Sequence, residues 1–158
     1  MIKRTLLLSI FALISACGGP GESAAVPEAQ PAGATSTDIG NHVVHFSAQT
    51  TDQLPPAVAR QYAIVRSKNI AMLNISVLQK PNNTPVAADV SVKTVNLTGQ
   101  LKNITMRKIE EPGDILAIYY IGDTKIANRE VLVFDISIKP DGEDSTSEVR
   151  FKKQFFSD

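Results

Sequence analysis

Residues 130–139 read EVLVFDISIK and have the clearest strand pattern of the chain. Its large apolar side chains stand at every second position, at Leu132, Phe134, Ile136 and Ile138. Successive side chains of a strand point to opposite faces of the sheet, so the pattern predicts a β-strand with one face in a core. Asp135 lies on the other face, where we expect it to be solvated or paired with a charge on a neighbouring strand.

Similar short patterns recur along the chain. They predict further strands over residues 42–48, 70–79, 90–98, 102–110, 115–121 and 148–156. Pro55–Tyr62 is the helical candidate, because proline is tolerated in a first helical turn. The apolar residues of the strand at 90–98 change face near Thr94, which predicts a β-bulge there.

About seven or eight short strands separated by turn residues are typical of an all-β fold. The predicted architecture is an antiparallel, immunoglobulin-like β-sandwich with one short helix, and a small β-barrel is the alternative. The chain has 158 residues, which allows one such domain. Its 16 basic and 16 acidic residues leave no basic surplus for nucleic-acid binding.

The first residues have the pattern of a secretory signal. Lys3 and Arg4 form a basic start, and residues 6–14 are apolar but too short to span a bilayer. Ile14-Ser15-Ala16-Cys17 then resembles the bacterial lipobox, and Cys17 is the only cysteine of the chain. The resemblance implies a signal peptide over 1–16 and fatty acyl chains such as palmitate on Cys17.

The segment after Cys17 is rich in Gly, Pro, Ala and Ser, which is typical of a flexible tether. We therefore divide the mature chain into a tether over 17–37 and a domain over 38–158. A glycine rather than an aspartate follows the cysteine, which in a Gram-negative host favours the outer membrane, with the domain facing the periplasm. The expected setting is thus the bacterial cell envelope, with the protein held at its membrane through Cys17.

Four runs of the domain resemble one bacterial family. They are QYAIVRSKNIAMLNISVLQK at 61–80, TPVAADVSVKTVNLTGQ at 84–100, IYYIGDTKIANREVLVFDISIKP at 118–140 and FKKQFFSD at 151–158. Together they are similar to domain-of-unknown-function family 4426, which consists of small exported proteins. The resemblance spans residues 41–158 and implies a β-rich exported domain, with no activity, cofactor or catalytic residue attached.

Residues that could carry chemistry are few. His42 and His45 lie three positions apart on a strand and therefore face opposite sides, so we expect no metal site and no cofactor. No nucleophile elbow of the G-x-S-x-G kind occurs, and we expect the protein not to be an enzyme.

The loop at 66–69 has two interpretations. It is either a turn in which Arg66 pairs with an acid such as Glu130 or Asp135, or a basic contact for an anionic group. Adjacent tyrosines must face opposite sides of their strand, which predicts one in the core and one in a surface groove. The candidate contacts for a ligand or partner are His45, Arg66, Lys68, Tyr119 and Tyr120.

These observations predict a lipid-anchored, periplasm-facing binding or accessory module with an envelope protein as partner. The alternative is a small envelope enzyme or small-ligand binder that uses a polar pocket near His45 and Arg66. A structural subunit of a larger complex is a third hypothesis.

Overall fold

Two antiparallel β-sheets form the part of the chain that the computed structural model describes, residues 35–114 and 116–158. The predicted signal peptide, Cys17 and nearly all of the predicted tether lie outside these residues. The strands are β1 (Ser36–Ile39), β2 (His42–Thr50), β3 (Ile70–Gln79), β4 (Thr84–Pro85), β5 (Ala88–Asn96), β6 (Leu101–Lys102), β7 (Arg107–Glu111), β8 (Ala117–Lys125), β9 (Val131–Pro140) and β10 (Ser147–Gln154).

The strands divide into a six-stranded and a four-stranded sheet. The six-stranded sheet has the order β1-β2-β3-β8-β7, with β4 paired to the far end of β3. The four-stranded sheet has the order β10-β9-β5-β6. The two sheets stay separate within the described residues, so the predicted β-sandwich is confirmed as the architecture.

The core fills the space between the two sheets. The inward residues of β9, which opened the sequence analysis, are all buried, and Leu73 and Ile75 of β3 face them from the other sheet. Phe151 joins the sheets: its ring lies 4.7 Å from that of Phe46 and 4.8 Å from that of Phe134, measured between centroids. Fully burying one such side chain stabilises the fold by about 1.5–3 kcal/mol.

The predicted bulge near Thr94 is wrong. β5 pairs with β9 without interruption from Ala88 opposite Pro140 to Asn96 opposite Leu132. Thr94 itself occupies an inward position and is almost fully buried. Because a polar residue occupies this core position, the inward face lacks an apolar residue there, and the sequence pattern was misinterpreted as a change of face.

The predicted strand at 102–110 is two strands that belong to different sheets. β6 ends at Lys102 in the four-stranded sheet, and β7 begins at Arg107 in the six-stranded one. Residues 103–106, which connect β6 to β7, pack against β8 at Gly122. A Cβ atom on Gly122 would lie 2.6 Å from the sulfur of Met106. Only glycine therefore leaves room for this contact.

The first strand begins earlier than the predicted domain. β1 starts at Ser36, two residues before the expected boundary at Asp38, and pairs with β2 along its whole length. Its four residues, STDI, carry no apolar alternation that could have identified it.

The chain between β2 and β3 covers part of the outer face of the six-stranded sheet. It contains a 3₁₀ turn (Thr51–Gln53) and the predicted helix, α1 (Pro56–Gln61). We call residues 51–69 the cover segment. Among the described residues, no helix is both long and apolar enough to cross a membrane.

Candidate functional site

A cleft of about 260 Å³ lies between the cover segment and the outer face of the six-stranded sheet. The cover segment contributes Leu54, Val58, Tyr62 and Ile64. The sheet contributes Met72 and Asn74 from β3, Ile109 and Glu111 from β7, and Tyr119 and Ile121 from β8. The cleft is therefore mostly apolar, with a few polar groups among its walls, as is usual for small-ligand sites.

Strand alternation places these side chains on the outer face. Leu73 and Tyr120 point into the core, so their neighbours Met72, Asn74 and Tyr119 point outward. Met72 is nevertheless buried, because the cover segment packs over it and forms a second apolar cluster outside the main core. The outer faces of β3 and β8 therefore carry an apolar patch of Met72, Tyr119 and Ile121 beneath the cover segment.

The cover segment is fixed at both of its ends. The Thr51 hydroxyl oxygen accepts the Ser67 N–H at 2.8 Å and lies 2.8 Å from the Val65 carbonyl, to which it can donate. Further along, the Arg107 guanidinium of β7 donates to the Tyr62 carbonyl, just after α1. These contacts hold the cover segment against the sheet and so fix the width of the cleft.

Asn74 is the unusual residue of the cleft. Its Oδ1 atom is buried and has no hydrogen-bond partner among the described residues. Its strand neighbours are Ser47 on β2 and Ile121 on β8. Leaving a buried acceptor unpaired costs about 1–3 kcal/mol, so a group that donated to it would bind favourably.

Two other buried oxygens also lack a partner within the described residues. They are Oδ1 of Asp52 in the cover segment and Oγ1 of Thr94 in the core between the sheets. Neither residue lines the cleft. Asn74 alone of the three therefore combines an unpaired acceptor with space for a ligand.

The two tyrosines face opposite sides, as the sequence predicts. Tyr119 lines the cleft, whereas Tyr120 is buried in the core. The Tyr120 hydroxyl accepts the Ala88 N–H at 2.7 Å and so links the two sheets. Tyr120 is thus committed to the core and offers no contact for a ligand in the cleft.

The remaining sequence candidates do not meet at one site. His45 is exposed on the outer face of the six-stranded sheet, between Ser36 and Ser76 on the neighbouring strands, and does not line the cleft. Arg66 donates to the Asp52 carbonyl beyond the end of β2. The five residue steps from His45 to Thr50 already span roughly 17 Å, so His45 and Arg66 do not share a pocket.

The expected acidic partners of Arg66 are engaged elsewhere. Glu130 binds Lys102, with 2.7 Å between Oε1 and Nζ, and Asp135 binds Arg150 on β10. The pairing of Asp135 across strands is as predicted, whereas the pairing of Arg66 with either acid is wrong. Lys68 donates to the backbone carbonyl of Asp158.

His42 and His45 face opposite sides of β2, which confirms the strand geometry predicted for them. His42 is buried, and its Nδ1 lies 3.8 Å from the Glu143 carboxylate. In residues 35–114 and 116–158, no group of three or more His, Cys, Asp or Glu side chains is placed to hold a metal ion.

The outer face of the four-stranded sheet carries a larger but shallow depression, with a volume of about 660 Å³. Three of its four charged side chains, Asp135, Glu148 and Arg150, make polar contacts within it. The hydrogen bond from Arg150 to Asp135 raises the pKa of the Arg150 guanidinium, and the Ser137 hydroxyl donates to Glu148 at 2.7 Å. This surface offers no unpaired group comparable to Asn74.

The described residues thus form a β-sandwich with a mostly apolar cleft beneath the short cover segment. The family comparison is more specific: residues 36–158 match the family model described as "Domain of unknown function (DUF4426)". The chain belongs to this family.

Solved structures agree with the assignment. A DUF4426 family protein from Pseudomonas aeruginosa PAO1 is similar at 32% identity and a TM-score of 0.67, with 78% of this chain and 94% of that chain covered. A family 123 glycoside hydrolase from Clostridium perfringens is similar at 11% identity and a TM-score of 0.36, with 71% and 27% covered. The latter likeness is too low to carry any argument. Among curated proteins, none matches the sequence.

Sequence reasoning identified Tyr119 but missed Asn74 and the apolar wall around it. One signal was present: residues 115–121 are apolar at nearly every position, which requires cover on both faces of the strand. Nothing in the sequence showed that the cover would come from residues 51–69.

Proposed function

We propose that this protein is a binding module of the bacterial cell envelope that takes a small, largely apolar group into the cleft. One observation carries the proposal: Asn74 lines this mostly apolar cleft, and its buried Oδ1 atom has no hydrogen-bond partner among the described residues. Sites of this kind use a few placed polar groups to orient a ligand whose body is held by apolar contacts.

The cleft favours an uncharged ligand group with a hydrogen-bond donor. Asn74 Oδ1 requires a donor such as a hydroxyl or an amide N–H. The carboxylate of Glu111 at the wall repels an anion, which argues against fatty acids and phosphates. The group can belong to a free small molecule or to a side chain of an envelope protein.

Cyclohexanol and cyclohexanone provide a matched test, because only the alcohol donates a hydrogen bond. We expect NMR titration of the protein to give affinity for cyclohexanol about tenfold higher, since only the alcohol satisfies the buried acceptor. Asn74→Leu should bind both compounds equally. Chemical shifts of Tyr62 and Tyr119, two of the three tyrosines in the chain, report occupancy of the cleft.

Ser76→Leu is the control variant, because Ser76 is the next outward residue of β3 and lies outside the cleft lining. It should keep the preference for the alcohol. If the wild-type protein does not distinguish the two compounds, or if Asn74→Leu retains the distinction, the cleft is not a donor-selective site.

The membrane setting rests on the sequence. The lipobox-like ISAC at 14–17 and the tether that follows support a lipid anchor at Cys17. One acyl chain alone binds a membrane marginally, whereas two or three chains form a stable anchor.

Cys17→Ser should leave the protein without lipid and remove it from the membrane fraction of the expressing bacterium. Mass spectrometry of the purified protein and fractionation of the cells provide the measurement, and Ser15→Ala serves as a control that keeps the cysteine. Recovery of Cys17→Ser in the membrane with unchanged electrophoretic mobility would argue against the anchor.

The alternative of an enzyme or a polar ligand site around His45 and Arg66 gains no support, since these residues lie apart. The proposal therefore assigns no reaction to the protein. We expect family members that bind different partners to differ in the residues of the cleft rather than in the exposed polar residues.

A further inference from the structure

The exposed apolar side chains of this protein gather at one end of the sandwich. We call it the basic end: here β2, β5, β8 and β10 end, and β3 and β9 begin. The two sheets are in contact there: the Nζ atom of Lys102 on β6 lies 3.3 Å from the carbonyl oxygen of Lys125 on β8. The opposite end, where β2 starts and β9 finishes, is called the acidic end.

Five large hydrophobic residues are strongly exposed among the described residues, and four of them lie at the basic end. Leu97 and Leu101, at the tip of the β5–β6 hairpin, are 68% and 64% exposed. Val65 in the cover segment is 71% exposed, and Phe156, after β10, is 61% exposed. The fifth, Leu116, lies at the acidic end just before β8.

Cations surround these apolar residues. The exposed basic residues at this end are Arg66, Lys68, Lys125, Arg129, Lys152 and Lys153. Lys102 is also there but is taken by Glu130. The acids at this end, apart from Glu130, are Asp52, Asp123 and Asp158, so the six exposed cations outnumber them.

The acidic end has the opposite composition. Its acids are Asp38, Asp89, Glu110, Glu111, Asp114, Asp141, Glu143, Asp144 and Glu148. Two of the lysines near them are already paired, Lys80 with Asp38 and Lys108 with Glu110. The chain has no net charge, yet its charges are separated along the long axis of the sandwich.

The direction of β1 relates this polarity to the tether. β1 runs antiparallel to β2, and the Thr35 carbonyl just before β1 accepts the Phe46 N–H at 2.8 Å. β2 ends at the basic end, so the chain travels away from the basic end as it enters β1. The described chain therefore enters β1 at the middle of β2, opposite His45, and runs from there toward the acidic end.

We propose that the basic end rests on an anionic phospholipid bilayer, with Leu97, Leu101, Val65 and Phe156 at the level of the headgroups. Aliphatic and aromatic side chains bordered by lysine and arginine match the interface of such a membrane, where apolar burial and attraction to anionic headgroups act together. The acidic end then points away from the negative surface. This orientation deepens the proposed function and rests on its membrane anchor.

The test places an environment-sensitive nitrobenzoxadiazole label on full-length protein in vesicles of phosphatidylglycerol and phosphatidylcholine. Leu97→Cys carries the label at the basic end, and Leu116→Cys carries it at the acidic end. Both sites are exposed, so labelling should preserve the fold. We expect the emission of the Leu97 label to shift to shorter wavelength in phosphatidylglycerol vesicles, and that of the Leu116 label to stay unchanged.

A matched pair of charge reversals tests the electrostatic part. Lys152→Glu should weaken binding to phosphatidylglycerol vesicles about tenfold, because each surface cation contributes to the attraction. Lys139→Glu, at the acidic end of the neighbouring strand, should have little effect. Raised ionic strength should remove the difference between the two variants.

The experiment distinguishes a failure of the proposed lipid anchor from a failure of the proposed orientation. A lipidated Cys17 cannot react with the label, so incorporation of a second label reports that the anchor is absent. The Leu97 and Leu116 labels are then compared in the Cys17→Ser background, where each molecule carries one label.

Equal responses of the two labels in lipidated protein bound to phosphatidylglycerol vesicles would overturn the proposal. So would a shift of the Leu97 label that appears without vesicles and grows with protein concentration, because that result would assign the surface to a second copy of the chain.

Discussion

Glu130 joins three parts of the chain at the basic end. Its carboxylate binds Lys102 of β6, the side-chain amide of Asn96 at 2.9 Å and the Ala127 N–H at 2.8 Å. Burial acts to raise the pKa of Glu130, but the hydrogen bonds from these three groups outweigh it and hold the pKa below its ordinary value of 4.5. The residue thereby connects the β5–β6 hairpin to the turn between β8 and β9.

The depressed pKa makes this contribution dependent on pH. A carboxylate with a lowered pKa in the folded state stabilises the protein above its unfolded pKa, and the stabilisation is lost as the pH falls through the folded pKa. Glu130→Gln should reduce the free energy of unfolding by roughly 2–4 kcal/mol at pH 7, because it leaves the Lys102 side chain, which is only 16% exposed, without a counter-ion. The difference in free energy of unfolding between Glu130→Gln and the wild type should narrow as the pH falls below 4.5.

Urea denaturation of both proteins from pH 7 to pH 3 provides the measurement. Glu110→Gln is the control, since the Glu110–Lys108 pair is about half exposed and should contribute nothing measurable. A gap between Glu130→Gln and the wild type that stays constant with pH would show that the ionised form of Glu130 has no special role.

At the scale of elements, the cover segment is the part of the fold that creates the cleft. α1 has only six residues and is too short to be stable alone. Its position depends on the apolar contacts of Leu54 and Ala59 with the sheet and on the hydrogen bonds of Thr51. We therefore expect that the cover segment can detach from the sheet while the sandwich stays folded.

Thr51→Val tests this independence, because valine keeps the shape of threonine but cannot accept the Ser67 N–H. We expect amide hydrogen exchange to accelerate at Tyr62, Ile64 and Ser67, by about tenfold for a hydrogen bond of this kind. Exchange at Ile75 in the core of β3 should stay unchanged. Equal acceleration at both sites would show that the cover segment and the sandwich unfold together.

Thr94→Val is the matched substitution in the core. The Thr94 hydroxyl is buried and has no partner among the described residues, so its removal should leave the protein equally stable or more stable. The same chemical change thus has opposite expected effects at two buried threonines, and the difference lies in their hydrogen bonds.

Prediction from the sequence was most successful where an element depends on its own pattern. The strand predicted over 70–79 coincides with β3, and α1 lies within the predicted helix. The strand predicted over 102–110 failed, because which sheet a residue joins depends on distant partners. β6 pairs with β5, whereas β7 pairs with β8.

For the whole molecule, the spatial distribution of charge is the property that cannot be read from the sequence. The equal numbers of acidic and basic residues indicate a neutral protein, which predicts no general affinity for nucleic acids. The antiparallel strands nevertheless bring cations from distant segments to one end and acids to the other. A neutral chain can therefore present a basic surface at one end.

The sequence alone is enough to predict the all-β class, the strands with clear alternation and the family, because each depends on local residue patterns. It also placed the two tyrosines on opposite faces, since alternation fixes that within a single strand. Only the tertiary structure decided that Asn74 lies unpaired in a cleft, that Arg66 binds the Asp52 carbonyl and that the exposed apolar residues share one end. These features arise from contacts between segments far apart in the chain, and no local pattern specifies such contacts.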